Sequence, residues 1–249
     1  RALAKRLGTI GQHRDLVISV GLQTLYGKVY QIRATDVRPR TVCGLNGLGE
    51  EVTLERKALR PLCRNEGFYP FRKENADAWV IFPYEVGAEQ AEEIRWRKFR
   101  EYYPKTADYL RDHKQILEEA VELEEGDDRW HLYLYPKNLV QQTRPKVLFP
   151  MTIEDTLAAV DLIGDVYQDN VRVNSLTVRN PRIDLLAVAA VLNSTTFSAL
   201  ARLKAGLSDA GWRQFNRQFA NLVPFPLEGL AKGGAADELR PLALKIQGL

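Results

Sequence analysis

Methionine, cysteine and histidine are all scarce in this 249-residue sequence: Met151 alone, Cys43 and Cys63, and His13, His113 and His131. Two cysteines without neighbouring Cys or His pairs fall short of the roughly four ligands that a structural zinc site needs. They are also too few for a disulfide-built scaffold, and are read as buried or loop thiols of a reducing cytoplasm. Long apolar runs are missing too. The longest, IDLLAVAAVLNSTTF from Ile183, is broken by Asp184 and Asn193, whereas a bilayer span needs about 20 apolar residues. No basic segment leading into an apolar one opens the chain, so no secretion signal is read and a cytoplasmic, membrane-free protein is expected. The sequence opens Arg1-Ala2-Leu3 without an initiator methionine, which sets the expectation of a piece of a longer polypeptide.

What is present is a chain with 45% apolar and 27% charged residues, enough apolar content for a sizeable core and far from the composition of a disordered segment. The net charge of +3 hides strong segregation. Residues 1–40 hold eight Lys/Arg against two Asp, residues 85–128 hold seven basic against fourteen acidic, and residues 129–150 hold four basic and no acidic side chains. Residues 151–170 hold five acidic and no basic ones, and residues 171–249 ten basic against five acidic. The three basic blocks either converge on one positive surface suited to a polyanion such as DNA, or remain separate solvated faces.

Alternation and turn residues predict a strand–turn–strand over RDLVISVGLQTLYGKVYQIR (14–33), and a hairpin from GFYPFR through KENAD to AWVIFPYE. An acidic helical region is predicted from Ala88 to Glu125, interrupted at Pro104. Strands are expected at WHLYLY, KVLFP, LIGDVYQD and VRVNSLTV. Helices are expected at Ile183–Asn193 and Thr195–Leu207, then extended structure at FNRQFANLVPFP and a loosely packed Gly/Ala-rich end. Strands and helices mix without βαβ alternation. The expected class is therefore α+β, with mixed, mostly antiparallel short sheets, a long acidic helical segment and C-terminal helices. The expected division is a preceding tail (1–14), one main domain (15–228) and a C-terminal tail (229–249).

No self-contained active site is encoded. GLNGLG (Gly44–Gly49) lacks the strand–glycine turn–helix order of a dinucleotide loop and reads as a plain loop. The three histidines form no nucleophilic constellation. Asp36 with Glu55 and Lys57 loosely matches the acid, then acid-x-Lys, of a metal-dependent nuclease, which stays open as one alternative. A protein-interaction module using the acidic helices is another.

Basic residues interleaved with aromatics and amides recur on predicted loops. Gln23, Thr24, Tyr26 and Lys28 share one turn, and Arg60 and Arg64 flank Pro61. Tyr69, Arg72 and Lys73 cluster at a hairpin, and Arg144 and Lys146 lie between two strands. These side chains hold phosphates or reach base edges.

Their order along the chain completes the reading. GLQTLYGKVYQI, then LRPLCRNEGFYPFRKENADAWVIFPYE, then YLRDHKQILEEA with WHLYLYP, and finally KVLFP, VYQDN, LLAVAAVLNSTTFSALARLKAG and FNRQFANLVPFP follow one another over residues 15–228. This succession resembles the TaqI-like C-terminal specificity domain, the target-recognition domain of adenine-specific DNA methyltransferases and of fused type IIG restriction-modification enzymes. Leu25 stands where that family has a glycine, and His131 replaces the second aromatic of a Trp-Tyr pair. The resemblance implies a sequence-specific duplex DNA recognition module, working in restriction-modification or phage defence and not an enzyme on its own. It implies no cofactor in this chain. S-adenosylmethionine and the Asn-Pro-Pro-Tyr motif for a flipped adenine would belong to an upstream methyltransferase domain of the same polypeptide; this chain has no Pro-Pro pair. The DNA-contacting residues would then be Gln23, Thr24, Tyr26, Lys28, Arg60, Arg64, Tyr69, Arg72, Lys73, Arg144 and Lys146.

Overall fold

The alternation in Gln31-Ile32-Arg33-Ala34 builds a strand, Gln31–Val37, inside a six-stranded sheet. The computed structural model describes residues 2–64, 67–73, 78–119, 127–170, 172–208, 211–231 and 233–247. Strand order in this sheet is Tyr167–Gln168, Leu59–Cys63, Ala78–Ile81, Gln31–Val37, Thr41–Asn46 and Glu51–Glu55. Every pairing is antiparallel except that of Tyr167–Gln168 with Leu59–Cys63. Ala78, Trp79, Val80 and Ile81 are buried on both faces, as an unbroken apolar run in a central strand should be.

Over this sheet pack the helices Trp96–Tyr102 and Pro104–Asp112, which bury Phe99, Ala107, Tyr109 and Leu110. The break between them falls at Pro104, whose ring suits the first helical position. The second helix is capped from outside: the Glu55 carboxylate accepts the Lys105 and Thr106 backbone N–H groups at 2.8 Å each and the Thr106 hydroxyl at 2.6 Å. An aromatic cluster fills the core beneath, with Tyr30–Tyr133, Phe82–Tyr167 and Tyr84–Tyr133 ring centroids 4.9–5.2 Å apart.

A second sheet, four strands and wholly antiparallel, runs Leu16–Val20, Val173–Val178, Lys146–Pro150 and Ala159–Asp161. Against it lies the apolar helix Leu185–Leu192, started by the Asp184 carboxylate accepting from the N–H of Leu186 and Ala187. Ser194 caps the next helix, Thr195–Lys204, in the same way. Each fully buried Leu or Val here contributes roughly 1.5–3 kcal/mol. The seam between the two cores is small and apolar: Cys63 and Phe68 with Leu148, Ala159 and Val173. Cys43 and Cys63 are not joined in a disulfide.

The class is α+β, as expected, with several pairings that differ from expectation. Leu16–Val20 makes no hairpin with Gln31–Val37; it pairs with Val173–Val178, far along the chain. Phe68–Tyr69 pairs with Arg72–Lys73, while Ala78–Ile81 joins Leu59–Cys63 instead; the expected turn at 74–77 lies outside the described residues. Ala91–Glu93 is a strand on Tyr84–Val86, not helix, and residues 120–125 of the acidic region also lie outside the described set. WHLYLY forms a short 3-10 turn and loop, because Trp130, Leu132 and Tyr133 plug into the aromatic core. FNRQFANLVPFP contains a helix, Arg217–Ala220, capped by Asn216.

Both flanking segments pack on the second core. Ile10 is buried, and the N–H groups of Ile10 and Gly11 bond to Val223 and Asn221 carbonyls. The terminal helix Ala235–Gln247 buries Ala236 and Ala243, and its Arg240 meets Asp184. No single helix among the described residues is long and apolar enough to cross a membrane.

Candidate nucleic-acid interface

Two residues apart on one strand, Gln31 and Arg33 share a face of the six-stranded sheet, and Leu45 sits directly opposite Arg33. Arg64, just past the end of its strand, reaches back over this face and donates from Nη2 to Gln31 Oε1 at 2.8 Å. Gln31 Nε2 donates onward to Asp169 Oδ1 at 3.2 Å. Lys28 closes the arrangement from the short helix Gly27–Tyr30. Together Gly27, Lys28, Gln31, Arg33, Asn46, Gly47 and Arg64 line a cleft of about 310 Å³. Three cations converge there with no carboxylate in the lining. Among the described residues no hydrogen bond or ion pair holds the side chain of Lys28 or of Arg33.

The wall of this cleft is rigid. Gly47 donates its N–H to the Lys28 carbonyl at 2.8 Å. A Cβ on Gly47 would lie 2.6 Å from Lys28 Cα, so only glycine permits this approach. Asn46 Oδ1 accepts the Leu48 and Glu50 N–H groups at 2.9 Å each, and its amide donates to Glu50 and to the Tyr109 hydroxyl. His113 Nε2 meets Glu50 at 2.7 Å. The Asn46 amide and His113 hold the Glu50 carboxyl below its usual range, while burial pushes the Tyr109 phenol up to about 12. GLNGLG is thus a hairpin tip buttressed from behind by the helix Pro104–Asp112, and no helix follows it to make a phosphate loop.

Leu25 carries a φ of 58°, in the left-handed region that favours glycine. A leucine held there is strained by roughly 1–2 kcal/mol, and its side chain is half exposed.

A second basic cleft, about 470 Å³, is lined by Arg56, Lys57, Arg60, Trp79, Asp165 and Tyr167 among others. Arg56 lies over the Trp79 ring and Arg60 over Phe82, each 5.7 Å from the centroid. Arg60 Nη1 donates to the Lys57 and Leu59 carbonyls at 2.8 Å, which fixes the guanidinium. Burial raises the Tyr167 phenol, against the pull of Arg60.

Of the residues expected on the interface, Lys28 and Arg64 come together and Arg60 lies in the second cleft. Arg72 stacks over Tyr69 at 5.1 Å on a small hairpin pinned by Phe71, whose N–H bonds to the Ala158 carbonyl. The Lys73 side chain lies outside the described residues. Arg144 is exposed on the turn before Lys146–Pro150. Gln23 is half-buried and bridges to Tyr135 through its backbone, and Tyr26 is half-buried against the first core.

Two of the expected residues are buried. Thr24 is 7% exposed. Lys146 is fully buried: its Nζ donates to Asp161 Oδ2 and the Gln142 carbonyl at 2.7 Å and to the Arg144 carbonyl at 3.3 Å. Burial lowers its pKa, with Asp161 opposing. It is a structural cation that no phosphate reaches. Sequence reading misses Arg33 and Gln31, although alternate polar residues at 31, 33 and 35 signal a strand with one solvated face.

The two acids of the alternative nuclease set are engaged elsewhere. Glu55 is committed to capping a helix, and Asp36 turns to Arg38 at 2.6 Å. Among the described residues no three His, Cys, Asp or Glu side chains gather in a metal-holding group. No protein-family model matches the chain, and no curated protein matches it.

Proposed function

We propose that this chain is a duplex DNA recognition module, the specificity part of an S-adenosylmethionine-dependent adenine DNA methyltransferase whose catalytic domain lies upstream in the same polypeptide. The observation that carries the reading is the cleft in which Lys28, Arg33 and Arg64 converge around glycine backbone. Cations free of carboxylate partners on a rigid scaffold suit phosphate neutralisation. The ordered motifs that resemble a target-recognition domain supply the rest. On this reading the clefts beside Arg64 and Arg60 and the Tyr69–Arg72 hairpin track the duplex, and the chain binds without cutting or methylating. A cytoplasmic location accompanies it.

The test compares retention of a mixed-sequence 20-base-pair duplex, the matching single strand and a protein-free control at low salt. Duplex binding without cleavage in Mg²⁺ is expected. Cleavage would favour a nuclease, and indifference to duplex at low salt, even with the upstream domain attached, would overturn the reading.

A further inference from the structure

The cations of the first cleft are not equivalent. Arg38, Arg111, Arg129, Arg202 and Arg240 each lie against a carboxylate, which neutralises their charge. Arg64 is held by an amide oxygen, so its orientation is fixed while its charge stays whole. The amide is itself fixed. Gln31 Nε2 donates to Asp169, and Asp169 is anchored by its own N–H on the Cys63 carbonyl at 3.0 Å. Gly21 packs against the same segment so closely that a Cβ there would sit 2.1 Å from the Gln168 carbonyl oxygen. Leu22 N–H adds a 2.8 Å bond to that carbonyl. The relay therefore ends on backbone that is held from both sides. Lys28 and Arg33 have no such support.

This difference separates two jobs. A phosphate accepts a cation from many directions, and an untethered Lys or Arg serves. A guanine edge presents O6 and N7 in one plane and rewards a guanidinium already held in that plane. One Nη2 hydrogen of Arg64 goes to Gln31; among the described residues the remaining donors of the fork make no hydrogen bond and can face a base pair.

We propose that Arg64 is the side chain of this cleft that reads a guanine in the major groove, and that Gln31, backed by Asp169, is the positioning residue that aims it. The assignment rests on the DNA-recognition reading and gives it a base and a residue. Lys28 and Arg33 are then phosphate contacts carrying no sequence information.

The test is selection of binding sites by the full chain from a randomised duplex pool, followed by titration of the selected duplex and of its single-position variants. Arg64→Lys keeps the charge and loses the fork. It should bind non-specific duplex at low salt about as well as the parent, while discrimination at one guanine falls by about 5- to 150-fold. Gln31→Leu should weaken discrimination at that same guanine and no other. Lys28→Ala should weaken all sequences alike. Thermal melts establish that each variant is folded, and Arg64→Lys, the mildest change, decides the matter if Gln31→Leu is not. A selected motif unaltered by Arg64→Lys overturns the assignment while leaving the DNA reading intact. A parent that binds duplex without selecting any motif, or that binds no duplex even with the upstream domain attached, overturns both.

Discussion

Replacing Lys146 by methionine isolates what its burial implies. The ammonium is fully buried, and the side chain of its partner Asp161 is 3% exposed. Methionine preserves most of the volume, so the change removes charge and hydrogen bonds with little cavity. Asp161 is then left as a buried carboxylate without its cation. It retains the N–H groups of Gly164 at 2.8 Å, Val166 at 3.2 Å and Asp165 at 3.3 Å, which soften the loss. The expected cost is about 3 kcal/mol, the low end of the roughly 3–5 kcal/mol for removing one partner of a buried pair. In urea at pH 7 this moves the midpoint by about 1–3 M for slopes of roughly 1–3 kcal/mol per molar. Adding Asp161→Asn should restore part of the stability, since no buried charge then remains and the amide oxygen still accepts from the loop. Duplex affinity of the folded variant should not change. A loss below about 1 kcal/mol, a double variant no better than the single, or weakened DNA binding at unchanged stability would refute the structural role.

Two further outcomes follow from particular residues. Leu25→Gly relieves a left-handed leucine and should raise stability by about 0.5–1 kcal/mol after the entropy of glycine is subtracted; a lower melting temperature would show that the Leu25 side chain contributes more than its backbone costs. Burial lowers the His131 pKa below 6.5, against the Ile94 and Asp128 carbonyls at its ring nitrogens. The unfolded chain therefore binds the proton first: stability is full above pH 6.5 and is lost as the pH falls through the lowered folded value. His131→Gln should flatten that part of the profile between about pH 7.5 and 5, read from urea midpoints, and an unchanged slope would contradict the assignment.

Local elements are legible where one residue type dictates them. Pro104 announces a break, and KVLFP and VRVNSLTV are expected as strands, where Lys146–Pro150 and Val173–Val178 form. Partners are not legible, because pairing is decided by distant residues: nothing in LVISV specifies Val173–Val178 over the nearer Gln31–Val37. WHLYLYP alternates like a strand, yet its rings serve a core built by Tyr30, Phe82 and Tyr84. Lys146 looks like a surface cation because its acceptors, Asp161 and two carbonyls, are brought to it only by the fold. Arg64 is identifiable by type, whereas the relay that orients it depends on Asp169, far along the chain and brought to Gln31 only by the fold.

The central claim is that the cleft at Lys28, Arg33 and Arg64 neutralises DNA phosphates. It is tested most directly by fluorescence anisotropy of the chain on a labelled mixed-sequence duplex across about 20–200 mM salt, beside Lys28→Ala/Arg33→Ala. The expected result is an affinity that falls steeply with salt in the parent, and a log–log slope shallower by about 1.8 in the double variant, at about 0.9 for each phosphate no longer neutralised. An equal slope in parent and double variant would place the DNA-binding surface elsewhere on the molecule and contradict the claim.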